Sequence, residues 1–423
     1  MSGAPMNGAP NAEGRDAGLD IFIIAGEESG DRLGAALMAA VEAQAAGPVT
    51  FAGVGGTAMA ERGLVSLFPL AELAVNGFTA IPARLPLILR RIREAADAVI
   101  AARPDALVII DSPDFTHRVA RRVRAAAPTT PIVDYVSPTV WAWRPSRAAA
   151  MRRYVDHVLA LLPFEPAAHR RLGGPPCTFV GHPLTEQVAA LRPNAEEAAR
   201  RDAAPPVVLV LPGSRGGEIK RHLDTFGAAI ALVRERVGAV EVVLPTVPHL
   251  VDRIRRDTQA WPAVPRIVVE PALKWAEFRR ARAALAASGT VTLELALAGV
   301  PTVLAYKVAV VEELIARAFV TAPMVGLPNL ILDDRVMPEL LQRQATPERL
   351  AAALVPLIGD TPERRRQCEA LARLDTVMEI GGAAPSARAA AIVIETARNS
   401  TRFHRRERHA NQGKFQKELP SAT

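Results

Sequence analysis

The stretch AALAASGTVTLELALAGVPTVLAY, residues 283 to 306, runs for 24 residues with one charge, Glu294, between Arg282 and Lys307. Its length is that of a membrane span, which needs about 20 uninterrupted apolar residues. Ser288-Gly289-Thr290, Glu294 and Gly299-Val300-Pro301 interrupt it. The interruptions fit a buried strand, a tight turn, a short helix and a second buried strand, the repeating unit of a parallel α/β sheet. Ser288, Gly289 and Thr290 then lie where a strand hands over to a helix N-terminus, whose free N–H groups and positive dipole end favour an anion such as a phosphate. Glu294 follows one turn after Thr290 on the same face and points at whatever the turn holds. On this stretch alone, an ordinary crossover that binds nothing is an equally good reading.

Working outward, the same alternation of apolar runs and helical segments extends from Leu19. Ile21 to Ala25 ends in GEESGDRLGA, which puts Glu27, Ser29 and Asp31 at the carboxyl edge of a strand, where open α/β sheets bind ligands. The spacing is not G-x-G-x-x-G, so a dinucleotide site has little support, and Gly53-Val54-Gly55-Gly56 is a Gly-rich turn of low specificity. Ala106 to Ile110 delivers IDSPDF. Asp111 at the strand end is half desolvated, the setting for a raised pKa and a general base; capping the next helix is the competing role, favoured for Asp114. SPTVWAWRPSR sets Trp141 and Trp143 beside Arg144 and Arg147, a wall or hinge with guanidiniums in reach of an anion. His182 in GHPL reads as structural, with acid or base chemistry as the alternative. Val207 to Leu211 runs into PGSRGGEIKRH, which is not a Walker loop. Its Gly-Ser turn, with Ser214 and the cation of Arg215, suits a diphosphate whose charge backbone N–H groups and a guanidinium can share.

The chain has 423 residues, 49% hydrophobic and 22% charged, which fits a globular protein of two-domain size. Of the net charge of +7, four units lie in the tail, where six basic residues from Arg402 to Lys417 face Glu407 and Glu418. No aromatic-interleaved basic signature calls for a nucleic-acid partner. Cys177 and Cys368 lie far apart without metal spacing, which indicates a reducing compartment and a cytoplasmic protein. Residues 1–18 read as a disordered leader without the apolar core of a signal peptide. Residues 19–190 form a first Rossmann-like domain and the Ala-, Arg- and Pro-rich 191–206 a linker. Residues 207–370 form a second domain, 371–398 helices that pack back on the first domain or on a partner subunit, and 399–423 a basic disordered tail. In Asn76 to Arg93, the apolar Phe78, Ile81, Leu85, Leu87 and Ile88 mix with Arg84, Arg90, Arg91 and Arg93. Such a segment can lie in a membrane interface, arginines toward phosphates; a helix packed on its own sheet is the simpler alternative. The fold class is α/β. Two Rossmann-like halves with parallel sheets facing across a cleft are the GT-B layout, the second half holding a nucleotide-sugar donor and the first an acceptor.

Taken together and in order from about Leu19 to Arg398, AGEESGD, IDSPDF, DYVSPTVWAWR, LPFE, VGHPL, LPGSR, SGTVTLE and LPNLI followed by PELLQ resemble the lipid-A-disaccharide synthase family. The resemblance implies an inverting GT-B glycosyltransferase that needs no metal or other cofactor. Its members join UDP-2,3-diacylglucosamine to 2,3-diacylglucosamine 1-phosphate, releasing UDP and forming the β-1,6-linked disaccharide of lipid A. By that resemblance Asp111 takes the proton of the acceptor's 6-hydroxyl, and Glu27 and Ser29 line the reaction cleft. Arg215 and Ser214 hold the diphosphate with Ser288, Gly289 and Thr290, Glu294 meets the ribose hydroxyls, and Asn329 completes the donor side. An inverting displacement agrees with one base, a stabilised leaving group and no second carboxylate nucleophile. The resemblance also implies a peripheral place on the cytoplasmic face of the inner membrane, with residues 76–93 facing lipid, and is compatible with a homodimer. Asp333-Asp334 departs from the expected pattern and carries no assigned role. Another GT-B reaction, such as epimerisation of UDP-N-acetylglucosamine, and a non-catalytic sugar-nucleotide binder are the competing readings.

Overall fold

Short apolar runs of Val, Ile, Leu and Ala such as Ala106–Ile110, Val207–Leu211 and Ala283–Ala287 suit strands covered on both faces, and they occupy the sheet centres. In the computed structural model, which describes residues 18–73, 81–309, 313 and 322–399 and omits the side chains of 81–83, these runs form two sheets. The first pairs β1 (Leu19–Ala25), β2 (Val49–Val54), β3 (Ala106–Ile110), β4 (Ile132–Tyr135), β5 (His157–Ala160) and β6 (Cys177–Phe179) in the order β2-β1-β3-β4-β5-β6. The second pairs β7 (Val207–Leu211), β8 (Glu241–Pro245), β9 (Arg266–Val268), β10 (Ala283–Ala287), β11 (Thr302–Tyr306) and β12 (Glu339–Leu341) in the order β12-β11-β10-β7-β8-β9. All pairings are parallel, with Ala25 opposite Ile110 in one sheet and Ala286 opposite Leu211 in the other. Residues 283–306 are thus β10, a turn, the helix Thr290–Leu297 and β11. Among the described residues no helix is long and apolar enough to cross a membrane.

Helices cover both faces of the first sheet, because parallel strands require crossovers and each strand's side chains alternate between faces. On one face Phe22, Ile24, Leu107 and Ile109 meet α3 (Ile81–Ala102) and α4 (Pro113–Ala126) through Ile92, Val99, Phe115 and Val119. On the other, Ile21, Ile23, Val108 and Ile110 meet Leu37, Met38 and Val41 of α1 (Glu28–Gln44). That second layer is completed by Ala389, Val393 and Ile394 from a helix over 385–399, which returns from the far end of the chain. Arg388 ties it down by donating to the carbonyl of Phe179 at 2.8 Å, and Glu186 accepts from the amide of Ser386 at 2.9 Å.

Residues 191–206, read above as a linker, contain the helix Ala195–Arg200, started by a reciprocal capping pair of Asn194 and Glu197. Arg192 reaches Asp375 and the carbonyl of Leu297, and Arg201 donates to the carbonyls of Phe278, Arg279, Ala298 and Gly299. The segment is therefore strapped to the second sheet's helices. Leader residues 1–17, residues 74–80 with Phe78, and the tail from 400 lie outside the described residues.

Truncating Ile394, which is buried against the first sheet, should lower unfolding free energy by about 2–5 kcal/mol in Ile394→Ala, read by urea denaturation. An unchanged midpoint would mean that the returning helix is not part of this core.

Candidate active site

Each sheet reverses its winding once, between β1 and β3 in the first and between β7 and β10 in the second. A crevice opens at the carboxyl ends of the strands at such a reversal, and ligands of open α/β sheets bind there. Four of the motif turns, AGEESGD, IDSPDF, LPGSR and SGTVTLE, follow those four strands, while WAWR, LPFE and VGHPL follow β4, β5 and β6.

In the first sheet, the loop after β1 meets the loop after β3 at Gly26. A Cβ on Gly26 would sit 2.2 Å from the Cβ of Ser112, so only glycine permits the approach. Ser112 Oγ donates to Glu27 Oε1 at 3.1 Å. Asp111 and Ser112 both take left-handed backbone conformations, φ 54° and 45°, at a cost of roughly 1–2 kcal/mol per residue. Such strain persists where the surroundings over-determine it, typically at functional sites. Here the N–H of Ser112 binds Asp111 Oδ1 at 2.7 Å and Thr116 Oγ1 binds the Asp111 carbonyl at 2.6 Å. Burial raises the pKa of Asp111 above the ordinary carboxylate range, the hydrogen bond from Ser112 opposes this, and the charges of Glu27 and Asp134 add to it. Asp111 thus has the electrostatics of a proton acceptor. Ser29 is exposed in the first turn of α1, and exposed Asp114 pairs with Arg147 at 3.4 Å.

Two other sequence candidates turn out to be structural. Asp31 is buried and accepts from the amides of Gly56, Ala58 and Met59 at 2.7 to 3.1 Å, so the turn at Gly53–Gly56 is closed by its own chain. His182 is buried and neutral, its Nδ1 accepting from the amide of Leu184 at 3.1 Å, and burial holds its pKa down at about 4. In the Trp loop, Arg144 stacks on Trp143, while Trp141 packs edge-on against Phe164 and into the core of the second half. Trp141 Nε1 donates to Glu165 Oε1 at 3.2 Å and the amide of Leu162 to Glu165 Oε2 at 3.0 Å. Burial outweighs both bonds and pushes the pKa of Glu165 up to about 7.

In the second sheet the expected diphosphate turn is partly self-satisfied. Glu218 Oε2 takes the amides of Ser214 and Arg215 at 2.9 and 3.2 Å, and Gly213, at φ 118°, leaves room for that carboxylate. The amides are therefore not available as read from the sequence. The Arg215 guanidinium is, with its side chain 82% exposed and only a 3.3 Å contact to Glu218. Ser214 is exposed beside it. Ser288 is also redirected: its hydroxyl donates to the carbonyl of Val325 at 2.9 Å and fixes a neighbouring loop. Gly289 and Thr290 are exposed, with open space where a Cβ of Gly289 would stand. Glu294 lies behind them, its carboxylate paired with Lys274 at 2.6 Å.

Asn329 does not face a donor. It is fully buried, both amide hydrogens go to the carbonyl of Met337 and to Glu339, and its oxygen accepts from the amide of Met337. Its work is to hold the start of β12. Sequence reasoning missed Lys274 and His222. The imidazole of His222 ties the loop after β7 to the loop after β11, donating from Nδ1 to the carbonyl of Pro212 at 3.0 Å and accepting the amide of Lys307 at Nε2 at 2.9 Å.

On α3 the residues expected to face lipid divide by helical face. Leu85 and Arg90 are exposed and Leu87 is half-buried. Ile88 packs inward on the first sheet's core, and Arg91 stacks on Phe68 and pairs with Glu72 at 2.6 Å, so these two belong to the fold's interior side. Phe78 and the side chain of Ile81 lie outside the described residues.

A family model described as lipid-A-disaccharide synthetase matches residues 21–391. The lipid-A-disaccharide synthase of Nitrobacter hamburgensis is 60% identical over 376 residues, 89% of this chain and 95% of that protein. The one of Rhodopseudomonas palustris strain CGA009 is 56% identical over 400 residues, 95% of this chain and all of that protein. Among solved structures, the UDP-GlcNAc 2-epimerase from Neisseria meningitidis bound to UDP-GlcNAc superposes with a TM-score of 0.59 at 11% identity, over 89% of this chain and 99% of that one. MurG of Acinetobacter baumannii gives 0.53 at 16% identity, with the same coverage. These likenesses are of fold: two Rossmann-like domains of the GT-B class.

Glu165 supplies a test of the packing behind the Trp loop. Its folded pKa of about 7 lies above the ordinary 4.5, so its stabilising contribution is complete below about 4.5 and is lost as pH rises through 7. Thermal midpoints should fall over that window, and Glu165→Gln should flatten the fall. Parallel curves for the two proteins would contradict the assignment.

Proposed function

The chain belongs to the lipid-A-disaccharide synthase family and is a glycosyltransferase that forms the lipid A disaccharide, and on that premise we propose how its residues carry the reaction. The donor is UDP-2,3-diacylglucosamine and the acceptor 2,3-diacylglucosamine 1-phosphate. Asp111 removes the proton of the acceptor's 6-hydroxyl as that oxygen attacks the donor's anomeric carbon from the face opposite UDP. The bond to the diphosphate oxygen breaks, UDP leaves with the electron pair, and the new linkage is β. The observation that carries this reading is the position of the motif turns: Asp111 and Glu27 follow β3 and β1, and Arg215 and Gly289-Thr290 follow β7 and β10, at the winding reversals of the two sheets.

Glu27 acts through Ser112, holding the strained turn that aims Asp111. On the donor side, the Arg215 guanidinium and the N-terminus of the helix Thr290–Leu297 meet the growing charge on the diphosphate, with Ser214 beside them. The Ser288 hydroxyl shapes the turn from behind. Glu294, oriented by Lys274, accepts from the ribose hydroxyls. The protein works at the cytoplasmic face of the inner membrane, where its acylated substrates reside, and meets it through the exposed side of α3 at Leu85 and Arg90.

Release of UDP from the two diacylated substrates together tests the reaction. Use of UDP-N-acetylglucosamine with neglect of the acylated donor would replace it by the epimerase reading. Asp111→Asn should lower turnover by about 10²–10⁴-fold with UDP affinity kept; retained turnover would remove Asp111 as the base. Arg215→Ala should weaken UDP binding by roughly 1.5–3 kcal/mol, the loss expected for a charge-assisted contact, and equal affinity by calorimetry would refute the diphosphate contact.

A further inference from the structure

The flank of the first sheet carries a groove that the reaction does not use. Between α3 and α4 it encloses about 250 Å³, lined by Leu89, Ile92, Arg93, Arg118, Arg121 and Arg122. The floor is apolar, the rim holds four guanidiniums, and the lining contains no acid. Neighbouring arginines on the same helices are neutralised: Arg91 by Glu72 and Glu94, Arg124 by Asp156. Arg121 instead lies over the Tyr154 ring at 4.9 Å, and among the described residues none of the four rim arginines pairs with a carboxylate.

Arg118 lies three and four residues before Arg121 and Arg122 on the helix, so it neighbours each of them and the like charges destabilise the free protein slightly. A dianionic or monoanionic phosphate in the groove removes that repulsion and matches guanidinium geometry. The surroundings indicate where the phosphate comes from. Leu85, Leu89 and Arg93 fall four residues apart on one face of α3, and both leucines are exposed, 43% and 37%. An apolar ridge therefore leads along the helix into the ring of arginines, as a bilayer surface requires, with acyl chains at the ridge and head groups at the charges.

We propose that the α3–α4 groove binds the phosphate of an anionic phospholipid head group and docks the enzyme on the bilayer. The proposal rests on the peripheral-membrane reading above and adds to it a defined head-group site made of Arg93, Arg118, Arg121 and Arg122. The apolar ridge supplies contact, and the groove makes docking depend on lipid charge.

Flotation of the full chain with phosphatidylcholine vesicles, with and without phosphatidylglycerol, tests it. The wild type should partition onto the phosphatidylglycerol vesicles, and the Arg118→Gln, Arg122→Gln double variant should lose at least about tenfold of that partitioning. UDP release from detergent-dispersed substrates should be unchanged in the same variant, which also verifies that it folds. A Leu85→Ser, Leu89→Ser variant probes the parent reading separately. Loss of binding there with full binding in the arginine variant would overturn the groove and leave the membrane reading standing. No binding of the wild type to either vesicle would overturn both. Displacement from vesicles by inorganic phosphate, but not by chloride of equal ionic strength, would make the groove a site for free phosphate and overturn the lipid assignment.

Discussion

Parallel strands cannot be joined by hairpins, and everything in this protein depends on that constraint. Each strand must be followed by a crossover helix, so every turn after a strand lies on one edge of its sheet. Where the winding reverses, two of these turns separate and leave a crevice. The chain builds this arrangement twice, between β1 and β3 and between β7 and β10. The four loops at the reversals contain Glu27, Asp111, Arg215 and Gly289-Thr290, the residues proposed to carry the reaction.

The two crevices differ in their electrostatics. The first gathers carboxylates: burial and the neighbouring Glu27 make Asp111 reluctant to hold charge, which suits a group that must accept a proton. The second is cationic on its open side, with Arg215 exposed, while its acids are engaged from within, Glu218 by turn amides and Glu294 by Lys274. His222 joins the loops after β7 and β11 through both ring nitrogens, and burial lowers its pKa and keeps it neutral for that purpose. This asymmetry suits the proposed displacement, in which a hydroxyl loses its proton as it attacks and a diphosphate leaves.

Much of this was legible in the sequence, and what was not has physical reasons. Buried strands and their turns could be read because runs such as Ala106–Ile110 and Ala283–Ala287 are apolar throughout and end in Gly, Ser or Asp. Competition for the turn amides was less visible, although Glu218 stands at the third helical position, where a capping glutamate reaches back. Asn329 followed a motif into the donor site, yet its amide serves the backbone of Met337. The inward side of α3 was available from helical periodicity, since Ile88, Ile92, Ala95 and Val99 form one stripe. Lys274 was out of reach, because its pairing with Glu294 exists only once two helices are packed together.

Donor and acceptor are proposed to occupy the two winding reversals. A crystal structure of the enzyme with UDP tests it most directly. The diphosphate should lie within hydrogen-bonding distance of Arg215 and of the Gly289-Thr290 turn, with the ribose hydroxyls at Glu294. A diphosphate bound at the Asp111 edge of the first sheet, or away from both reversals, would contradict it.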